Sequence, residues 1–307
     1  MKKPVVVFIV GPTASGKTEL AVNIAKRLNS EVISADSMQI YKGMHIASAA
    51  PDIAEMQGVK HSMIEFLPYG ASFTVADYAD MARKEIGRLL SLGKTPVVAG
   101  GTGLYINALA DNIEFLPVKS DEEIRENLNR EFDLYGGEEM LKRLMSVDKT
   151  SAVKINPADK RRIVRALEIY EISGRTKTEQ NSLSKITPPD FRPVMIGVTF
   201  KDRQKLYDRI NERVDIMLEK GLLNEAESAY KNGAGGAVQA IGHKEFFEYF
   251  NGGQALEDAV DTLKRSTRRY AKRQLTWFRK DQRINWIYKD LTPDVLNEAM
   301  EIIKREE

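Results

Sequence analysis

No cysteine occurs anywhere in the 307 residues. Disulfides, thiolate nucleophiles and cysteine-based zinc sites are thereby excluded, and the absence is compatible with a reducing cytoplasm. Histidine is nearly as scarce: His45, His61 and His243 are the three, too scattered along the chain to suggest a metal cluster. Long apolar runs are missing too, none approaching the roughly 18–20 residues that span a bilayer. The apolar run after Lys2-Lys3-Pro4 is short and leads into a glycine-rich loop instead of a cleavage site. It reads as a buried strand and not as a signal peptide. A large charge of one sign is also lacking, and a net +2 does not by itself announce a nucleic-acid binder. The charges are unevenly spread, with Arg161 to Arg165 and Lys264 to Lys280 basic and Asp121 to Glu139 mostly acidic. Such asymmetry suits a polyanion-binding surface and equally suits solvated helix faces.

What is present is ample apolar material, 42% of residues, for a core. Val5 to Val10 is a continuous β-branched and apolar run, the pattern of a strand buried on both faces of a parallel sheet. A tight loop, Gly11 to Thr18, follows, and then Glu19 to Leu28 with Leu20, Ala21, Ile24, Ala25 and Leu28 at helical spacing. Glu31 to Ala35 is a second short strand ending at Asp36, Thr74 to Leu92 an amphipathic helix, and Thr95 to Ala99 a strand running into Gly100-Gly101-Thr102-Gly103. Residues 113–189 are charged, helical in pattern and poor in strand signals, and end at Pro188-Pro189 and Pro193. Val194 to Thr199 reads as a strand returning to the sheet, and after Asp202 the pattern is helical almost to the end. The expected division is a core of 1–112 with 190–307 and a helical insertion domain, 113–189.

Gly11-Pro12-Thr13-Ala14-Ser15-Gly16-Lys17-Thr18 matches G-x-x-x-x-G-K-[ST] in full, between a strand and a helix. Glycines let the backbone curl so that successive N–H groups converge on phosphate oxygens. The helix start directs its positive dipole end at the same anion. Lys17 adds a mobile cation, and the Thr18 hydroxyl suits Mg2+. Strand and helix alternation around this loop implies an α/β fold, a P-loop NTPase-like parallel sheet flanked by helices. Many such proteins carry a metal-binding Asp at the end of a second apolar strand, but here that strand ends in Gly-Gly-Thr-Gly. The carboxylate at a strand end is Asp36 instead, where strand C-termini line the ligand crevice. Asp36 is placed to act as a base or to organise metal, or, with Gln39 three residues on, to cap a helix. Near the C-terminus, Leu263, Tyr270, Ala271, Trp277 and Phe278 form an apolar stripe that reads as core, with Lys264, Arg265, Arg268, Arg269, Lys272 and Arg273 around it. Tyr105, Met38 and the histidines read as structural.

The motifs taken together resemble the tRNA dimethylallyltransferases (tRNA isopentenyltransferases). The likeness runs through the phosphate loop, Asp36-Ser37-Met38-Gln39-Ile40-Tyr41 and Gly100-Gly101-Thr102-Gly103-Leu104-Tyr105. It continues in 156–168, in Arg209-Ile210-Asn211-Glu212-Arg213-Val214, in Gln239-Ala240-Ile241-Gly242-His243-Lys244-Glu245 and in Arg269-Tyr270-Ala271-Lys272-Arg273-Gln274. It covers nearly the whole chain in order. The resemblance implies transfer of a dimethylallyl group from its diphosphate to N6 of adenine 37 in the anticodon stem-loop of tRNA. The expected enzyme is cytoplasmic, acts as a monomer and uses Mg2+. Carried over by position, Asp36 matches the base, Thr13 to Thr18 the diphosphate cradle, and Arg209 and Arg213 the arginines that hold the diphosphate. Asp36, Ser37, Met38, Gln39, Thr102, Arg125, Arg161, Arg162, Ile163, Val164, Arg165, Gln239, Ala240, Ile241, Gly242, His243 and Lys244 match tRNA-contacting positions. The chain departs from the family pattern at Ala47-Ser48-Ala49-Ala50-Pro51, where a lysine is usual, at His61-Ser62, where a histidine pair is common, and at His243, where tyrosine is usual. Two other classes stay open on the residues alone: a small-molecule kinase and an RNA-binding NTPase without transferase chemistry.

Overall fold

The computed structural model describes residues 2–115, 121–184, 187–232 and 240–306. In chain order its main elements are β1 (Val5–Val10), α1 (Lys17–Arg27), β2 (Val32–Ser34), β3 (His61–Ser62), α2 (Val75–Ser91), β4 (Val97–Gly100) and α3 (Gly103–Ala110). Then come α4 (Glu122–Val147), α5 (Lys160–Ser173), α6 (Lys177–Leu183), β5 (Arg192–Thr199), α7 (Arg203–Glu219), α8 (Leu222–Asn232), α9 (Leu256–Phe278), β6 (Asn285–Tyr288) and α10 (Val295–Glu306). The chain divides into two compact units, 1–110 with 189–307, and 111–188.

The first unit is built on six parallel strands in the order β3-β2-β4-β1-β5-β6. β1 lies inside the sheet and all six of its residues are buried, as its unbroken apolar run requires. Val5, Val7 and Ile9 pack with Leu20 and Ile24 of α1 and Ile303 of α10 in one cluster. Among the described residues no helix is long and apolar enough to cross a membrane.

Two strands differ from the sequence reading. β6 lies in the stretch expected to be helical, and it is a four-residue strand at the sheet edge whose first residue is exposed, too short to show an alternating pattern. β5 begins at Arg192 and so contains Pro193. Arg192 N–H donates to Pro4 O on the β1 side, so the N–H that proline lacks would face the other side. There β6 begins pairing only at Ile196, and no ladder bond is lost.

At the carboxyl edge of the sheet, β4 approaches the end of β2 very closely. A Cβ on Gly100 would lie 2.1 Å from Ala35 O, which is backbone and has no rotamer with which to yield. Tyr78 of α2 stacks on Tyr105 of α3, centroids 3.9 Å apart, and its hydroxyl donates to Ser34 O at 3.0 Å.

The second unit is helical in its described elements. α4 is broken at Gly136, whose φ of 80° is non-helical, and Leu128, Leu144, Ile163 and Leu167 form the core between α4 and α5.

Gly100→Ala is expected to lower the stability of the protein by about 1–3 kcal/mol, the usual cost of overpacking. The denaturant midpoint measures this, and an unchanged midpoint would mean that the two backbones separate freely.

Candidate active site

β1 hands the chain to the phosphate loop, and α1 begins at its end. Gly16 occupies the cap position at φ 88° and no side chain caps the helix, so the first-turn N–H groups stay open to an anion. Ala14 is held at φ 62°, a costly conformation for a residue with a Cβ, of the kind that accumulates at ligand loops. Lys17 Nζ donates to Pro12 O at 2.6 Å, folding the side chain back over the loop.

α7 lies beside the loop and presents Arg209 and Arg213 one turn apart, as their spacing predicts. Arg209 Nε donates to Ala14 O at 3.2 Å, with its guanidinium over the Phe200 ring. Arg213 lines two cavities that meet at Ala14, Lys17 and Thr18. The first, about 390 Å³, also holds Asp36, Gln39 and Tyr270, with Ile210, Val214 and Leu263 forming apolar wall. The second, about 420 Å³, holds Arg209, His45 and Glu55.

Asp36 caps no helix. Its Oδ1 accepts from Met38 N at 2.9 Å, closing a local turn, which corrects the capping alternative. Thr102 braces that turn: Ser37 N donates to Thr102 Oγ1 at 3.0 Å, and Thr102 N donates to Ala35 O at 3.1 Å. Burial raises the Asp36 carboxyl above the usual range, against the pull of the Met38 N–H and of Lys17 and Arg213. Lys17 is pushed down to about 7, first by burial and then by repulsion from Arg213, with Asp36 opposing both.

Ser37, Met38 and Gln39 line the first cavity, so Met38 belongs to the site and not only to the core. Ala240, Ile241, Gly242 and Lys244 line it as well, while Gln239 lies outside the described residues. His243 does not reach it. The ring is fully buried, and its Nε2 lies 3.0 Å from Glu225 Oε1. The Glu225 carboxylate also accepts from Ile46 N at 2.8 Å and Ala47 N at 2.9 Å. A contact of the His243 side chain with tRNA is thus replaced by an anchor for the segment that walls both cavities.

In the second unit Arg125, Arg161, Arg162, Val164, Arg165 and Lys177 line a cavity of about 620 Å³. Arg125 and Arg165 donate to opposite oxygens of Glu168, at 2.9 and 2.8 Å, and that carboxylate is fully buried. Lys177 is lowered by burial and by repulsion from Arg162 and Arg165. Ile163, carried over as a contact, has its side chain in the core of this unit, so it can meet RNA only through its backbone.

Tyr270, Gln274 and Glu225 have functional positions that sequence reasoning missed. The first two lie on α9, where Tyr270 reads as part of the apolar stripe and Gln274 enters only through the family likeness. Tyr270 lines the first cavity instead of the core, and Trp277 is 40% exposed, its indole against Gly103. Leu263, Ala271 and Phe278 are buried as the stripe implies.

The fold and this site define a P-loop protein whose phosphate cradle opens onto a half-apolar cavity containing a carboxylate. A family model described as IPP transferase matches residues 39–281. A protein of Acetivibrio thermocellus called tRNA dimethylallyltransferase is 48% identical over 93% of this chain and 92% of its own. The solved full-length tRNA isopentenylpyrophosphate transferase of Bacillus halodurans is 42% identical, with a TM-score of 0.72 over 99% of this chain and 96% of that one. A eukaryotic dimethylallyltransferase solved acting on tRNA is 27% identical, with a TM-score of 0.80 over 97% of this chain and 78% of that one. The chain belongs to the IPP transferase family.

The position of Lys17 predicts a pH dependence. Free, it loses its proton near pH 7; a bound diphosphate raises its pKa, so binding above that pH takes up a proton. Affinity for a monoalkyl diphosphate, whose last ionisation is near about 6, is expected to be level just below pH 7. It should then fall by up to about tenfold per pH unit above it. Calorimetry from pH 7 to about 9 checks this, and a slope unchanged in Lys17→Met would assign the proton elsewhere.

Proposed function

We propose that the chain transfers the dimethylallyl group of dimethylallyl diphosphate to N6 of adenine 37 in the anticodon loop of tRNA, releasing diphosphate. The observation that carries this reading is the first cavity, where Asp36 faces the phosphate loop, Lys17 and Arg213 across apolar wall. A kinase can also use a carboxylate base, but it needs room for a nucleoside and not an apolar chamber beside the cradle. A prenyl donor needs a cradle for its diphosphate and an oily space beside it.

As the allylic carbon–oxygen bond breaks, its electron pair goes to the leaving diphosphate. The phosphate-loop N–H groups, Lys17, Arg209 and Arg213 stabilise that growing charge, with the planar guanidinium forks suited to phosphate oxygens. The amine lone pair forms the new carbon–nitrogen bond, and the proton it sheds passes to the Asp36 carboxylate. Burial makes Asp36 a stronger base than a solvated aspartate, and the neighbouring cations favour its ionised form. The adenine leaves the loop stack to enter the cavity, at a cost that is smaller in a single-stranded loop.

Mg2+ fits the donor set. The Thr18 hydroxyl is a hard oxygen at the junction of both cavities and makes no hydrogen bond among the described residues. Thr18 would hold the ion together with diphosphate oxygens, and its chemistry there is neutralisation of leaving-group charge. The basic cavity of the second unit would hold tRNA phosphates, with Arg125, Arg161, Arg162 and Arg165 as contacts. The absence of cysteine is compatible with a reducing cytoplasm, where we place the reaction, and we propose that a monomer carries it out.

Asp36→Asn keeps the acceptor oxygen for Met38 N–H and is expected to bind both substrates normally. Single-turnover transfer should fall by roughly 10²–10⁴-fold. Nucleoside mass spectrometry after incubation with unmodified tRNA and dimethylallyl diphosphate provides the readout, and transfer within a few-fold of the parent would remove Asp36 from the mechanism. A clear calorimetric preference for ATP over the prenyl diphosphate would favour a kinase.

Replacing Arg161, Arg162 and Arg165 together with alanine should weaken tRNA binding and flatten its salt dependence, by about one unit of slope for each phosphate no longer neutralised. Donor affinity should hold. An unchanged salt slope would make these arginines a solvated surface.

A further inference from the structure

β1 and β4 are paired in the sheet as far as Val10 and Gly100, and beyond that register both chains leave as loops. One carries the phosphate cradle and the other supports Asp36. Gln274 of α9 takes over where the ladder stops. Its side chain is 5% exposed, and its amide is used at both ends: Oε1 accepts from Thr13 N at 2.9 Å, and Nε2 donates to Gly101 O at 3.0 Å. A primary amide offers one acceptor and one donor much as a peptide group does, so it substitutes for one further rung. From Gly101 the connection runs through Thr102, which holds Ala35 O and Ser37 N, to the Asp36 turn.

We propose that Gln274 is a positioning residue for the transfer reaction, fixing the phosphate loop relative to the Asp36 turn. This rests on the transferase reading above. The groups it joins are both main-chain, so side-chain truncation at Thr13 or Gly101 deletes neither, and the tie is broken by removing or displacing the Gln274 amide. In-line transfer needs the donor carbon, the amine and the base aligned at once, and misplacement of about 1 Å costs on the order of a hundredfold. Gln274 lines the first cavity with its amide engaged at both ends by the two loops, so it acts through them. Its loss should therefore leave each substrate bound and slow only the step that needs both in register.

Gly101 allows the Gln274 amide to be displaced from the other end of the tie. A Cβ there would lie 2.2 Å from Gln274 Nε2, and its nearest neighbour outside that side chain is Gly11 O at 3.7 Å. Gly101→Ala thus pushes the amide away while crowding little else. Gln274→Ala, Gly101→Ala and the double variant are compared with the parent for donor and tRNA affinity, melting temperature and single-turnover transfer. Each single variant is expected to bind both substrates within a few-fold of the parent and to transfer roughly 10–100-fold more slowly. The double variant should be no slower than Gln274→Ala, because both changes remove one interaction. Fully additive losses would overturn the proposal, as would rates within a few-fold of the parent. A rate loss accounted for by weakened binding or by unfolding at the assay temperature would reduce Gln274 to a structural role. If the parent itself transfers nothing, the transferase reading fails and the positioning role fails with it, an outcome distinct from a working parent with unaffected variants.

Discussion

Lys17, Asp36 and Arg213 come from α1, the end of β2 and α7; Asp36 and each cation favour one another's charged forms, and Arg213 opposes the charge on Lys17. Burial and repulsion from Arg213 bring Lys17 close to losing its proton, a cost that an arriving anion removes. The surrounding architecture keeps these groups from relaxing apart. The phosphate loop is tied to α7 through Arg209, and the Asp36 turn is braced by Thr102. The pocket is thereby preorganised for negative charge that develops between the cradle and the carboxylate.

The parts legible in the sequence are those whose physics is local. An unbroken apolar run identifies β1, a glycine-spaced octapeptide fixes the phosphate loop, and a one-turn spacing puts Arg209 and Arg213 on one face of α7. What was not legible depends on contacts far apart in sequence. Gln274 sits among lysines and arginines and looks like part of a solvated face until Thr13 and Gly101 are brought to it, 261 and 173 residues away. Tyr270 and Trp277 share the apolar spacing of Ala271 and Phe278, but periodicity does not distinguish a core position from a cavity wall or an exposed face. β6 was hidden because an edge strand of four residues owes its conformation to Ile196 through Thr199 beside it.

The basic cavity of the second unit shows the same limit. Arg161, Arg162 and Arg165 are visible as a charge cluster, whereas Glu168 is one acidic residue among many in the sequence. Its full burial between Arg125 and Arg165 turns it into an orienting group, holding two guanidiniums that would otherwise splay apart. Lys177 joins them from a different helix and could not be assigned to the cluster by adjacency.

The segment that walls both cavities is fastened by Glu225 through the main-chain amides of Ile46 and Ala47, and His243 fastens Glu225 in turn. Two departures from the family pattern, at 47–50 and at 243, therefore fall on one wall and its anchor. Because the fastening grips backbone, the side chains at 47 to 50 take no part in it, even where they pack closely, as Ala47 and Ala50 do. The bore of the chamber is thus set by small side chains on a wall whose fastening does not depend on them.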